Sequence, residues 1–169
     1  MVKAAGVLAL TLLMGSGVSL ASDDEHERTM LEFGTMVANS SPFIGAAGTI
    51  RGIAAAPLPW SVTGRIKGEL KTNGELEIEV RGLVLANDPS VPANLRLMNP
   101  VPFFSAVVSC MSSVGGKVVV SNITTANFRA NTAGDSKIEA TVALPAPCVA
   151  LILFVTSPNG AVWFAATGH

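Results

Sequence analysis

Carboxylates and thiols are the side chains of this 169-residue chain best suited to chemistry, and their spacing decides what each can do. Glu75, Glu77 and Glu79 recur at every second position. On a strand they would share one face, each about 7 Å from the next. Paired carboxylates at such separations can run glycoside hydrolysis, one as acid and the other as base or nucleophile. That chemistry also needs a cleft, usually lined by aromatic rings. Lys67 and Lys71 stand ready to neutralise this stretch instead, so a solvated charged face is the expectation. Asp88 and Asp135 lie in loop-like segments beside Asn87 and Asn131. Together they carry the oxygen donors that a calcium ion takes. The run Asp23-Asp24-Glu25-His26-Glu27 carries donors for a loosely held divalent cation, and reads first as a solvated charge cluster.

The two histidines are His26, inside that acidic run, and His169. A general base must be held rigidly within hydrogen-bond reach of its partner, and chain ends are poor places for that. Ser-His-Asp and Cys-His mechanisms are therefore disfavoured. No catalytic residue, metal set or cofactor is assigned from the sequence. Gly45-Ala46-Ala47-Gly48 matches no phosphate-binding pattern that opens a helix. Asn39-Ser40-Ser41 and Asn122-Ile123-Thr124 fit the N-glycosylation sequon, which matters only in a eukaryotic secretory route. Trp60, Trp163 and Phe164 have the rings for a ligand site, but tryptophan on an alternating strand reads first as core.

The address of the chain bears on its two cysteines. Met1-Val2-Lys3 is a positive start, Ala4 to Met14 is uncharged and almost wholly apolar, and Ser19-Leu20-Ala21 supplies small residues for cleavage. This is the layout of a secretory signal peptide over residues 1–21, cut near Ala21/Ser22. The apolar part is about a dozen residues, short of the roughly 20 that span a bilayer. No later stretch reaches that length, so no transmembrane segment is expected after cleavage. A secreted or periplasmic location oxidises thiols. Cys110 and Cys148 are then expected to form a disulfide, with a buried reduced pair or a reactive thiol as the alternatives. Closing a loop of about 39 residues would stabilise the fold by roughly 4 kcal/mol in the chain-entropy model.

Charged residues make up only 14 % of the chain, against a usual value of about 25 %. The body lacks the basic footprint that nucleic-acid binding requires. Ten prolines, no tyrosine and an abundance of Ala, Val, Gly, Ser and Thr suit short strands joined by turns. Residues 22–45 read as a mobile leader. A short helix is suggested over Asp23 to Val37, where Met30, Phe33 and Val37 recur at i, i+3 and i+7.

From residue 46 to 169 the signals describe a single β domain. Trp60 to Leu85 alternates apolar and polar residues about a Thr72-Asn73-Gly74 turn. Opposite residues share a face, so the apolar ones must meet. A two-residue turn would set Leu70 against Glu77. A three-residue loop with Gly74 left-handed sets Leu70 against Leu76, Ile66 against Val80, and Lys67 against Glu79. That loop is the prediction. Thr49 to Ile53 reads as a short strand, and Phe103 to Met111 with Lys117 to Ile123 as a second hairpin. Lys137 to Leu144 alternates again, and Val149 to Val155, apolar throughout, reads as a strand covered on both faces. Ser157-Pro158-Asn159-Gly160 is a turn into Ala161 to Ala166. About eight strands result, and hence an all-β antiparallel sandwich or a small barrel. The irregular Asn87 to Pro102 segment is long enough to be functional.

The segments LPWSVTGRIKGELKTNGELEIEVRGLVLAND (58–88), NPVPFFSAVVSC (99–110), GDSKIEATVALPAPC (134–148) and FVTSPNGAVWFAATG (154–168) resemble a group of small exported bacterial β-rich proteins with two cysteines. The resemblance implies a bacterial envelope or extracellular location and a β domain with one disulfide. It implies no activity and no functional residue. The expectation is thus a secreted, non-enzymatic binding or surface-associated module, with a homo-oligomer or an envelope partner. A carboxylate-dependent polysaccharide hydrolase and a calcium-stabilised β domain are the alternatives.

Overall fold

The computed structural model describes residues 28–167. The expected signal peptide, the acidic run, His26 and His169 lie outside the described residues. Within them the chain is all-β, built from several antiparallel sheets stacked like a sandwich, with no closed barrel.

The first sheet has four strands in the order β1 (Thr29–Phe33), β5 (Ile66–Lys71), β6 (Glu75–Val80) and β11 (Ser136–Thr141). The predicted three-residue loop forms: Leu70 faces Leu76, Ile66 faces Val80 and Lys67 faces Glu79. Gly74 takes φ 87°, and Asn73 Oδ1 accepts the Glu75 N–H across the turn. Ile66, Leu70, Leu76, Ile78, Val80 and Ile138 point into the core and are almost wholly buried. Their alternation with lysine and glutamate is what orients the sheet, because a one-residue slip would bury the charges.

The second sheet has seven strands. Its spine is β10 (Phe128–Arg129), β8 (Phe103–Val114), β12 (Val149–Thr156), β13 (Val162–Thr167) and β2 (Met36–Ala38). β9 (Lys117–Thr124) pairs with β8, and β3 (Ala54–Ala55) runs parallel to β13. The second predicted hairpin is therefore present, with a tighter turn than the four residues expected. Gly115 and Gly116 alone connect Val114 to Lys117, both at positive φ. Two central residues at positive φ match strand twist, which is why two glycines suffice. β12 is buried from Ile152 onward, but Val149 and Ala150 are exposed beside a bulge. A third, two-stranded sheet of β4 (Trp60–Val62) and β7 (Leu83–Leu85) completes the sandwich.

The main core lies between the sheets, and Trp60, Phe104 and Phe164 cluster in it. A second core of Ile53, Val107, Ile152, Phe154 and Trp163 occupies the opposite face of the seven-stranded sheet. The strap from Gly45 to Ala55 flanks it, and Trp163 Nε1 donates to Gly48 O at 2.8 Å. All three aromatic residues weighed as ligand contacts are therefore core.

Two expectations are corrected. Residues 29–38 are strands, not a helix, and they are built into both sheets rather than forming a mobile leader. The i, i+3, i+7 set put Met30, Phe33 and Val37 on one face, yet Met30 and Val37 are exposed. The residues facing the core are Leu31, Phe33, Met36 and Ala38, a period of two that changes phase at Gly34-Thr35. Glycine weakens a helix there, and sheet pairing then decides. Thr49 to Ile53 is likewise no strand, but a turn closed by an Ile50–Ile53 bridge.

Candidate functional site

Two surfaces are candidates: the outer face of the four-stranded sheet, and the free edge of the seven-stranded one. On the first, Glu32, Glu69, Glu77 and Glu139 stand directly opposite one another across all four strands. Directly opposed like charges destabilise a sheet. The adjacent row, Lys67–Glu79–Lys137, offsets them. Lys67 Nζ lies 2.9 Å from Glu79 Oε2, and Lys137 Nζ reaches Glu77 at 3.3 Å and Glu139 at 2.5 Å. Lys71 pairs with Glu75 at 2.8 Å. A shallow groove of about 450 Å³ runs over Gly34 and Gly68, beside Glu32, Arg65 and Glu69.

The electrostatics match a solvated ladder. The ammonium of Lys71, donating to Glu75, and that of Lys67, donating to Glu79, hold both carboxyls below the ordinary carboxylate value. Lys137 is raised, chiefly by its hydrogen bond to Glu139. Glycoside hydrolysis needs one carboxyl protonated and facing another across a cleft. Here the glutamates lie side by side on an open face, and Glu75 and Glu79 favour the ionised form. Depressed carboxyl values place the ladder's stabilising contribution above the ordinary carboxylate range, and it fades as pH falls through the folded values. Lowering the pH from 7 to 3 should therefore lower the melting temperature. In Glu79→Gln that drop should be smaller, read by circular dichroism melts in low salt; an identical drop would remove Glu79 from the ladder.

The loop carboxylates are occupied by their own turns. Asp88 Oδ1 accepts from the Ser90 N–H at 2.9 Å and the Ser90 hydroxyl at 2.6 Å, and Asp88 is held below its ordinary value by these bonds. Asp135 Oδ1 accepts the Gly82 N–H at 3.0 Å, and its Oδ2 accepts from Asn131 Nδ2 at 3.2 Å. Asn131 and Asp135 thus close one turn, while Asp88 serves another. Among the described residues no three His, Cys, Asp or Glu side chains converge on a common point. The Asn87–Pro102 segment is pinned by Asn99. That side chain donates to Val101 O and Asn131 O, both at 2.8 Å, and accepts the Val101 N–H.

The second surface was not foreseen from the sequence. β9 pairs with β8 on one side, and no backbone hydrogen bond leaves its other side among the described residues. Val118 is 71 % exposed and Val120 46 %, and Val149 on the neighbouring β12 is 55 % exposed. Val149 faces Met111, which faces Val120, so the three form one apolar row across three strands. Arg51 borders the row. It donates to Ser109 O at 2.9 Å and to Ala150 O, and its own carbonyl accepts from Asn122 Nδ2 at 3.0 Å. Cys110 and Cys148 are bonded, with Cα atoms 5.0 Å apart, and the bridge ties β8 to the segment entering β12. It holds β8 midway along the hairpin that carries the exposed valines, where Cys110 stands opposite Ser121.

The arrangement defines a disulfide-stapled, sandwich-like all-β domain that presents one charged face and one apolar strand edge. No family model, curated protein or solved structure matches this chain.

Proposed function

We propose that this chain is an exported, non-enzymatic binding module that works through the β8–β9 hairpin. The observation that carries the reading is the exposure of Val118, Val120 and Val149 beside an unpaired strand edge. Apolar side chains on a free edge are an invitation to another strand, with main-chain bonds giving affinity and side chains giving specificity. The Cys110–Cys148 bridge supports export, because such bonds persist in oxidising compartments. Among the described residues no helix is long and apolar enough to cross a membrane. The charged face, by contrast, is neutralised within itself.

A photocrosslinking side chain at Val118, introduced in the producing cell, should yield a crosslinked species. The same probe at Lys67 should yield none. Crosslinks from Lys67 alone, or none from Val118, would overturn the reading. Export is checked by intact mass of the native protein, which should begin near Ser22 and weigh two hydrogens less than the reduced chain.

A further inference from the structure

The outer strands β1, β2 and β11 are blunted. β1 is short and carries a bulge between Thr29 and Leu31. β2 is three residues long. β11 bears Lys137 and Glu139, and is flanked by the Ala130–Ser136 bridge and by Ser136 Oγ donating to Arg129 O. Short length, bulges and charges are the usual protections of an edge. β9 has only one of them, Lys117 at its turn end. It runs for eight residues, and after Lys117 at the turn no charged side chain occurs until Arg129.

From these features we infer that β9 pairs antiparallel with β9 of a second copy, joining two seven-stranded sheets across a two-fold axis at Val120. The inference rests on the proposed binding role and names its partner. A two-fold normal to the sheet keeps each copy's faces on the same side. Opposite residues share a face, so an even-numbered residue must meet an even-numbered one. With Val120 on the axis, Val118 meets Asn122 and Val119 meets Ser121, and seven of the eight residues are paired. The row Val149–Met111–Val120 then continues without a break into its symmetry copy. Moving the axis to Ser121 sets Val120 against Asn122 and interrupts that row. Moving it to Val119 pairs only five residues.

The charges permit the same register. The two Lys117 side chains would sit about six residues apart along the strands, roughly 20 Å, beyond the screening length of about 8 Å in physiological salt. The pairing is isologous and uses the free edge of both copies, so it closes at a dimer instead of growing a fibre. A strand-to-strand contact of this length sits at the small end of specific interfaces, so the association should be reversible and in the micromolar range.

Two measurements test it on the mature, disulfide-bonded chain. Val120→Cys places two thiols opposite each other on the axis, with Cβ atoms about 5 Å apart, and should oxidise to a covalent dimer on non-reducing electrophoresis. Val118→Cys faces Asn122, and its own copy lies about 14 Å away, so it should stay monomeric at the same concentration. Equal crosslinking of the two variants, or none from Val120→Cys, overturns the register. In sedimentation velocity the native chain should show a concentration-dependent dimer. Val120→Lys removes a valine pair and opposes two like charges on the axis. It should weaken the dimer by about tenfold, with the melting temperature unchanged. A native chain that stays monomeric to about 1 mM, or a dimer indifferent to Val120→Lys, overturns the pairing. If Val118 crosslinks a different protein in the envelope while copies fail to pair, the binding role stands and this inference falls.

Discussion

Removing the Cys110–Cys148 bridge should destabilise the domain by roughly 4 kcal/mol. That is a large part of the 5–15 kcal/mol that holds a domain of this size together. The contribution acts on the unfolded chain. In the folded state β8 and β12 already pair, from Ser105–Thr156 to Ser109–Ile152. In the unfolded chain the bridge closes a loop with a sequence separation of 38, and the excluded conformations are lost entropy. Reduction should therefore lower the melting temperature by roughly 10 °C, judged from the usual shift of about 2–4 °C per kcal/mol. Cys148→Ala isolates the loop effect, because it leaves Cys110 buried as a small apolar side chain. Cys110→Ala/Cys148→Ala should cost further, since Cys110 is wholly buried and its sulfur fills core volume. A melt that reductant shifts by less than about 1 °C would sink the entropic account.

Trp60→Ala should cost about 3–5 kcal/mol, the range for deleting a large aromatic from a packed core. Trp60 stacks on Phe164 with ring centroids 4.0 Å apart, and meets Phe104 edge-on at 6.4 Å. Phe164 belongs to β13 and Phe104 to β8. The indole is therefore where the two-stranded sheet grips the seven-stranded one. Its backbone takes part as well: the Trp60 N–H donates to Asn39 O, and the Asn39 side chain donates to Ala56 O and Leu58 O. Trp60→Phe keeps a ring in the stack and should cost well under half as much. Urea denaturation followed by circular dichroism gives both values. Equal losses for the two variants would show that a ring kept in the stack recovers nothing, and would sink this account.

The first hairpin was legible residue by residue. Alternation from Ile66 to Val80 admits one register that pairs Leu70 with Leu76, and Asn73-Gly74 supplies the turn, so local chemistry and core burial agree. Signals of that kind need only the chain's own neighbours. The leader was not legible, because Leu31, Phe33, Met36 and Ala38 show their period of two only when strands of two different sheets are in place to receive them. The candidate surfaces divide in the same way. That Glu75, Glu77 and Glu79 share a face follows from strand geometry alone. That Glu77 stands in a row of four with Glu69, Glu32 and Glu139 depends on pairings of Glu32 and Glu139 across about 35 and 60 residues of sequence. The valines at 118 and 120 read as ordinary strand residues. Valines suit a central strand and an edge strand alike, and only the order of strands in the sheet decides which residues stay unpaired. The sequence by itself determined a β body and one hairpin register, and set up the expectation that its two thiols pair. The tertiary structure decided which strand was left with an open side, because an edge is a property of the whole sheet and not of any strand within it.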